Sequence, residues 1–203
     1  MQVESRAGRT LIASGNPAPI RCDDGGGTVI QLSGKYAEPV IRNRQFFAYC
    51  GPNAMSVPAT ANIGLQLWNP PTSQVNLVLG KWAIANVATS ATCTGYTLGT
   101  NIQLTLATST VATATGSCIV GGTKSIASAS ATCTATAAAT VVWIFAHNTA
   151  DIRATGADIL TGDLDGMFVI APGVLASINA LGAAAAASST YSYLTWEERP
   201  AAF

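Results

Sequence analysis

The chain's one histidine, His147, is its only side chain poised for general-base work near neutral pH, and it directly follows an apolar run that ends at Ala146. A hydrolytic triad would need that imidazole beside a nucleophile held on a sharp turn of the G-x-S-x-G kind, and no such turn occurs. A strand-end histidine making one backbone hydrogen bond explains the position more simply. Asp158, Asp163 and Asp165 crowd one loop, and oxygen-rich loops of this sort hold Ca²⁺. Their spacing lacks the D-x-[DN]-x-[DN]-G cycle of an EF-hand, so a solvated acidic loop is the favoured reading and a calcium loop the other. Two carboxyls could also serve glycoside hydrolysis, but no aromatic cluster flanks these acids. Gly25-Gly26-Gly27 is followed by neither a Lys-Ser/Thr pair nor a helical period, so it does not read as a phosphate cradle. The expectation is a protein without catalytic residues, cofactor or metal.

Cys22, Cys50, Cys93, Cys118 and Cys133 are odd in number and contain no C-x-x-C pair. This argues against a closed disulfide framework and against zinc, leaving buried free thiols as the expectation. A bridge from Cys93 to Cys118 or Cys133 stays open for an oxidising medium. The phrase Ala-Thr-Cys-Thr occurs at 91–94 and again at 131–134, too short a match to establish a repeat.

Between Gln45 and Ala150 the only charged side chains are Lys81 and Lys124. Charged residues are 10% of the chain and the formal net charge is zero, whereas an ordinary soluble domain is about a quarter charged. With a mean hydropathy of +0.34, so neutral a surface implies that other subunits cover much of it. Zero net charge also speaks against nucleic-acid binding. No run approaches the roughly 20 apolar residues of a membrane-spanning helix, and the first residues lack the hydrophobic region of a secretory signal. The charge that exists is polarised, six basic against four acidic residues in 1–44 and two against six in 151–203. Head-to-tail contacts between subunits would use that asymmetry.

The elements that must carry this surface are strands. Residues 1–27, with Pro17, Pro19 and the Asp23–Gly27 turn, have no amphipathic period and read as an extended arm; 28–203 read as one domain. Strand signals run through Val29–Leu32, Val40–Tyr49, Ile63–Leu67, Val75–Val87, Tyr96–Leu106 and the short Ser117–Val120, with apolar residues alternating in Ile63–Leu67 and Tyr96–Leu106. Asn69-Pro70-Pro71-Thr72-Ser73 marks a turn, expected to close a β-hairpin. Thr140–Ala146 is the most apolar run, expected as a central strand covered on both faces, with Trp143, Ile144 and Phe145 in the core. Met167–Ile170, Val174–Ile178 and Thr190–Trp196 complete eight to ten strands of an all-β sandwich or barrel. Ala183–Ala187 is either one helical turn or a small-residue loop.

Leu32–Glu38, Leu67-Trp68-Asn69-Pro70 with Asn76–Leu79, Gly166–Gly173 and Leu194-Thr195-Trp196-Glu197-Glu198 together resemble a group of small structural proteins of tailed bacteriophages. The resemblance implies a jelly-roll-like antiparallel β-sandwich in the virion, decorating or cementing a capsid or building part of a tail. The implied partners are copies of the chain itself, expected as a homotrimer by closed symmetry, and the major capsid protein or another virion protein. The expected assembly contacts are Arg6, Arg9 and Arg21 of the arm and Trp196, Glu197 and Glu198 near the C-terminus, the latter three serving otherwise in an intramolecular edge strand. The competing expectation is a sugar- or receptor-binding module that stacks ligands on exposed Trp68, Tyr96 or Tyr191.

Overall fold

The computed structural model describes residues 36–53, 55, 57–58, 61–88, 93–105, 108–112, 114–118, 121–147, 159–181 and 189–201. The chain divides into Met1–Glu38 and Pro39–Phe203, and every described strand belongs to the second unit. The expected arm, the strand expected at Val29–Leu32 and the Ala183–Ala187 run lie outside the described residues. A five-residue helix, α1 (Ala37–Ile41), precedes the strands. Pro39 is tolerated there because its missing N–H falls in the first helical turn.

Among the described residues twelve strands follow: β1 (Gln45–Asn53), β2 (Ala61–Asn69), β3 (Val75–Ala88), β4 (Gly95–Ile102), β5 (Thr108–Ala112), β6 (Ala114–Ser117), β7 (Ser128–Thr134), β8 (Thr140–His147), β9 (Ile159–Asp163), β10 (Val169–Ile170), β11 (Val174–Leu181) and β12 (Ser189–Pro200). One sheet runs β10-β3-β12-β1-β6 with β9 also on β3, and the other runs β5-β7-β2-β11-β4-β8, every pair antiparallel.

β9 and β10 act as one interrupted strand along β3. Lys81 to Ala85 face Asp163 to Ile159, and Val78 and Leu77 face Val169 and Ile170. The loop between them is stitched to β3 by Leu164 N–H to Gly80 O, Gly166 N–H to Leu79 O and Leu79 N–H to Phe168 O. With β5 to β7 set aside, the strands then nest as pairs: β1 with β12, β2 with β11, β3 with β9 and β10, β4 with β8. That is a long antiparallel hairpin rolled over on itself, the connectivity of a jelly roll. β5 to β7 are inserted between β4 and β8, and they extend both sheets on the side away from β8.

Alternation supplies the core. Phe46 and Ala48 on β1, Leu65 and Leu67 on β2, Leu77, Leu79 and Ile84 on β3, Tyr96 and Leu98 on β4, Ala176 and Ile178 on β11, and Leu194 and Trp196 on β12 are all buried. Each large apolar side chain so placed contributes about 1.5–3 kcal/mol relative to exposure. Close approach of β2 to its neighbour β11 is allowed locally by Gly64, whose φ of +131° no L side chain adopts easily and whose missing Cβ would lie 2.5 Å from Ile178 O. The outward face of the second sheet is also covered: Gln66, Thr97, Ser177 and Asn179 are buried, and Leu175 packs with Ala135 and Trp68. On the outward face of the first sheet Gln45 and Thr195 are buried, whereas Tyr49 and Tyr191 reach solvent.

Two expectations are corrected. The Asn69–Ser73 turn does not close a hairpin, because β2 and β3 belong to different sheets. Paired prolines remove the N–H groups a two-strand ladder would need, so the segment arches across the sandwich. Its arch is fixed by Ser73 N–H to Pro70 O and by the Asn69 side-chain amide, which donates to Val75 O and Ile170 O, each at 2.8 Å. The Thr140–Ala146 run is not a central strand either: among the described residues β8 is the edge of its sheet, paired only with β4.

Candidate functional site

The residues that suggested chemistry are absorbed by structure or stay apart. His147 closes β8 opposite Gly95. Asp163 Oδ1 accepts the Asp165 amide at 2.9 Å, with Asp165 at a φ of +53°, so this part of the acidic loop is a tight turn; Asp158 lies outside the described residues. No group of three or more His, Cys, Asp or Glu is placed to hold a metal ion among the described residues. Cys50, Cys93 and Cys118 form no disulfide, and Cys93 and Cys118 adjoin strands of different sheets. Burial pushes the Cys118 thiol up from its ordinary range, which keeps it a poor nucleophile. Cys93-Thr94 precede β4, whereas 131–134 lie within β7, so the repeated phrase does not mark equivalent strands.

Arg6, Arg9 and Arg21 lie outside the described residues. Trp196 has no exposed surface and stacks on Phe46 with ring centroids 6.2 Å apart; its strand, β12, lies between β1 and β3 rather than at an edge. The side chain therefore belongs to the core and has none left to offer a neighbour. Glu197 pairs with Arg199 at 2.8 Å, and that hydrogen bond holds the guanidinium pKa above its usual value. Glu198 has a structural task of its own. Its Oε1 accepts from Ser125 Oγ at 2.5 Å and from Ile126 N–H at 2.9 Å, tying the loop between β6 and β7 to β12. Glu198→Ala should cost about 0.5–1.5 kcal/mol, the usual net worth of a hydrogen bond whose donors, here one part-buried and one exposed, can turn to water. Hydrogen exchange at the Ile126 amide should accelerate with it; unchanged protection would mean that the backbone alone holds the loop.

The aromatic residues proposed for stacking do not share one rim. Tyr96 is buried and donates its hydroxyl to Asn86 Oδ1, and Trp68 donates its indole N–H to Gln103 O at 2.7 Å. Only Tyr191 is exposed, and it lies on the other sheet.

A different feature dominates the surface. Half of the large apolar side chains exposed among the described residues fall on one side of the sandwich: Val141, Val142, Trp143 and Ile144 of β8, with Ile159, Met167 and Val169 of the facing sheet edge. The four on β8 are 39–52% exposed. The two edges meet where Trp143 sets its ring edge to face against Phe168 at 5.7 Å, and Phe145 turns inward onto Trp82 at 4.4 Å. β8 carries two bulges against β4, with Phe145 and Val142 each the extra residue. Bulges blunt an edge as a template for strand addition. What remains on offer is side chains, apolar and uncharged.

Searches against protein families, curated proteins and solved structures return no match. Nothing in them bears on the resemblance to bacteriophage structural proteins.

Sequence reading found the apolar run but not its exposure. The signal that could have placed it was the connectivity: in a rolled hairpin the innermost pair, here β4 with β8, lies at a sheet edge.

Proposed function

We propose that this chain is a non-enzymatic structural subunit of a virus particle that associates with copies of itself and with the particle's shell. The observation that carries the reading is the exposed run Val141–Ile144 on edge strand β8, continued by Met167 and Val169. Soluble monomers rarely leave so continuous an apolar strip in water. The neutral middle of the sequence, where only Lys81 and Lys124 are charged between Gln45 and Ala150, removes the repulsion that would keep copies apart. The jelly-roll connectivity agrees, since capsid domains use it, although cupins and lectins use it too and fold alone does not fix function. Closed rotational symmetry is the common outcome for identical chains, and a homotrimer attached to the major capsid protein or another virion protein is the arrangement proposed. Sedimentation of the full chain over a wide concentration range, with and without purified particles, tests it. The expected result is a discrete oligomer that co-sediments with particles; a monodisperse monomer at every concentration with no affinity for particles would overturn it.

A further inference from the structure

The outward face of the first sheet carries a second feature, independent of the β8 strip. Phe47 and Tyr49 on β1 and Tyr191 and Tyr193 on β12 all point away from the core, because Phe46, Ala48, Ser192 and Leu194 alternate with them and are buried. Tyr49 lies directly opposite Tyr193 in the register, a spacing of about 5 Å between paired residues, and Tyr191 precedes Tyr193 by two residues, about 7 Å along the strand. Small neighbours let the rings spread. A Cβ at Gly116 would lie 2.8 Å from Phe47 Cζ, so the ring leans across that glycine, and a Cβ at Gly51 would lie 2.8 Å from Tyr191 Cδ1. On the other flank, Tyr191 and Tyr193 stand opposite Ala85 and Ala83. The Phe47 and Tyr193 rings are 6.1 Å apart and inclined by only 26°, offset rather than overlaid, so each keeps part of a face uncovered. Tyr49 and Tyr191 are 45% and 42% exposed.

The charges narrow what such a surface takes. Aromatic faces are electronegative and attract electropositive C–H groups or cations. None of the residues that build this face is of a charged type. The charged residues that border it among the described ones are Lys81, two residues along β3 from Ala83, with Asp163 across from it in the register, and Glu197, opposite Gln45 and paired with Arg199. A cationic ligand would meet the lysine at one margin and an anionic one the glutamate at the other, so the aromatic island itself favours neither sign of charge. A neutral polyhydroxyl ring fits: its C–H face lies on the aromatic rings and its hydroxyls reach the tyrosine hydroxyls.

The geometry points to a neutral-glycan platform on this face, in which Tyr49 and Tyr191 stack consecutive sugar rings and the Phe47–Tyr193 pair holds the floor between them. The test uses the full chain with cellohexaose, maltohexaose and chitohexaose at millimolar concentration, read by calorimetry and by NMR of the tyrosine rings. Saturable binding of at least one glycan is expected, with shifts at the Tyr49 and Tyr191 rings and none at Trp143. Tyr49→Ala and Tyr191→Ala should each weaken it about three- to tenfold, in line with the value of one aromatic contact, and Tyr191→Phe should retain most of it. The ring shifts are read on the unaltered protein, so the outcome does not depend on how a variant folds. No binding of any of the three glycans, or binding untouched in the double alanine variant, overturns the platform. If these alanines instead dissociate an oligomer, the face is an interface between copies and the glycan assignment fails.

Discussion

Trp196→Ala should destabilise the fold by about 3–5 kcal/mol, the penalty for emptying a large aromatic site in a close-packed core, while Trp143→Ala should cost about 1 kcal/mol, the value of a surface aromatic contact. The two tryptophans are alike in sequence context, each at the heart of an apolar strand near a run of large side chains. They differ in what surrounds them. Trp196 has no exposed surface, lies on an interior strand and stacks on Phe46; Trp143 is 40% exposed on edge strand β8 and keeps one ring partner, Phe168. Urea unfolding followed by circular dichroism compares them directly. A Trp143 variant as damaged as the Trp196 variant would mean that β8 is covered in the folded monomer, and the edge assignment would fail with it.

Why the sequence reading inverted these two residues is a matter of period. Alternation in Ile63–Leu67 and Val75–Leu79 identifies strands with one face in the core, although Gln66 on the other face of the first is buried too. Thr190–Trp196 was legible for the same reason, and its extension to Pro200 was not, since Glu197, Glu198 and Arg199 look like the exit from a strand. Continuous apolarity in Val141–Ala146 is different: a strand buried on both faces and an edge strand covered by a partner share that pattern. Only long-range pairing separates the two, and pairing is not written in local sequence. The Asn69–Ser73 turn shows the same limit, because a proline turn between two alternating strands serves a hairpin and an arch between sheets equally. β5 and β7 went unnoticed, being mostly Thr, Ser and Ala, and β9 because Ile159-Leu160 is too short an apolar run beside Thr, Gly and Asp to read as a strand. Of the surfaces, the aromatic face needed register to find. Tyr49 and Tyr193 are far apart in sequence, and Tyr191 alone gave no hint of company.

The apolar strip makes the last and largest expected effect. Val142→Lys with Ile144→Lys should weaken self-association at least about a hundredfold, near 3 kcal/mol at 1.4 kcal/mol per tenfold change, because a lysine forced into an apolar contact loses its hydration without gaining a partner. The isolated fold should hardly notice. Both side chains are already exposed on an edge strand, and substitutions at such sites usually stay within about 0.5 kcal/mol. Equivalent lysines at Ile102 and Leu104, which are also exposed but lie at and just beyond the end of β4, form the control: they add the same charge without touching β8. Sedimentation equilibrium with a thermal melt of each variant reads both quantities. The expected pattern is loss of the oligomer in the β8 variant alone, at an unchanged melting temperature. Equal loss in both variants would trace the effect to net charge rather than to place, and an intact oligomer in the β8 variant would leave the neutral strip without its assembly role. The bulges at Val142 and Phe145 add a finer expectation within the same experiment. A partner that meets side chains rather than adding a strand should leave the backbone amides of β8 that point away from β4 open to hydrogen exchange even in the oligomer.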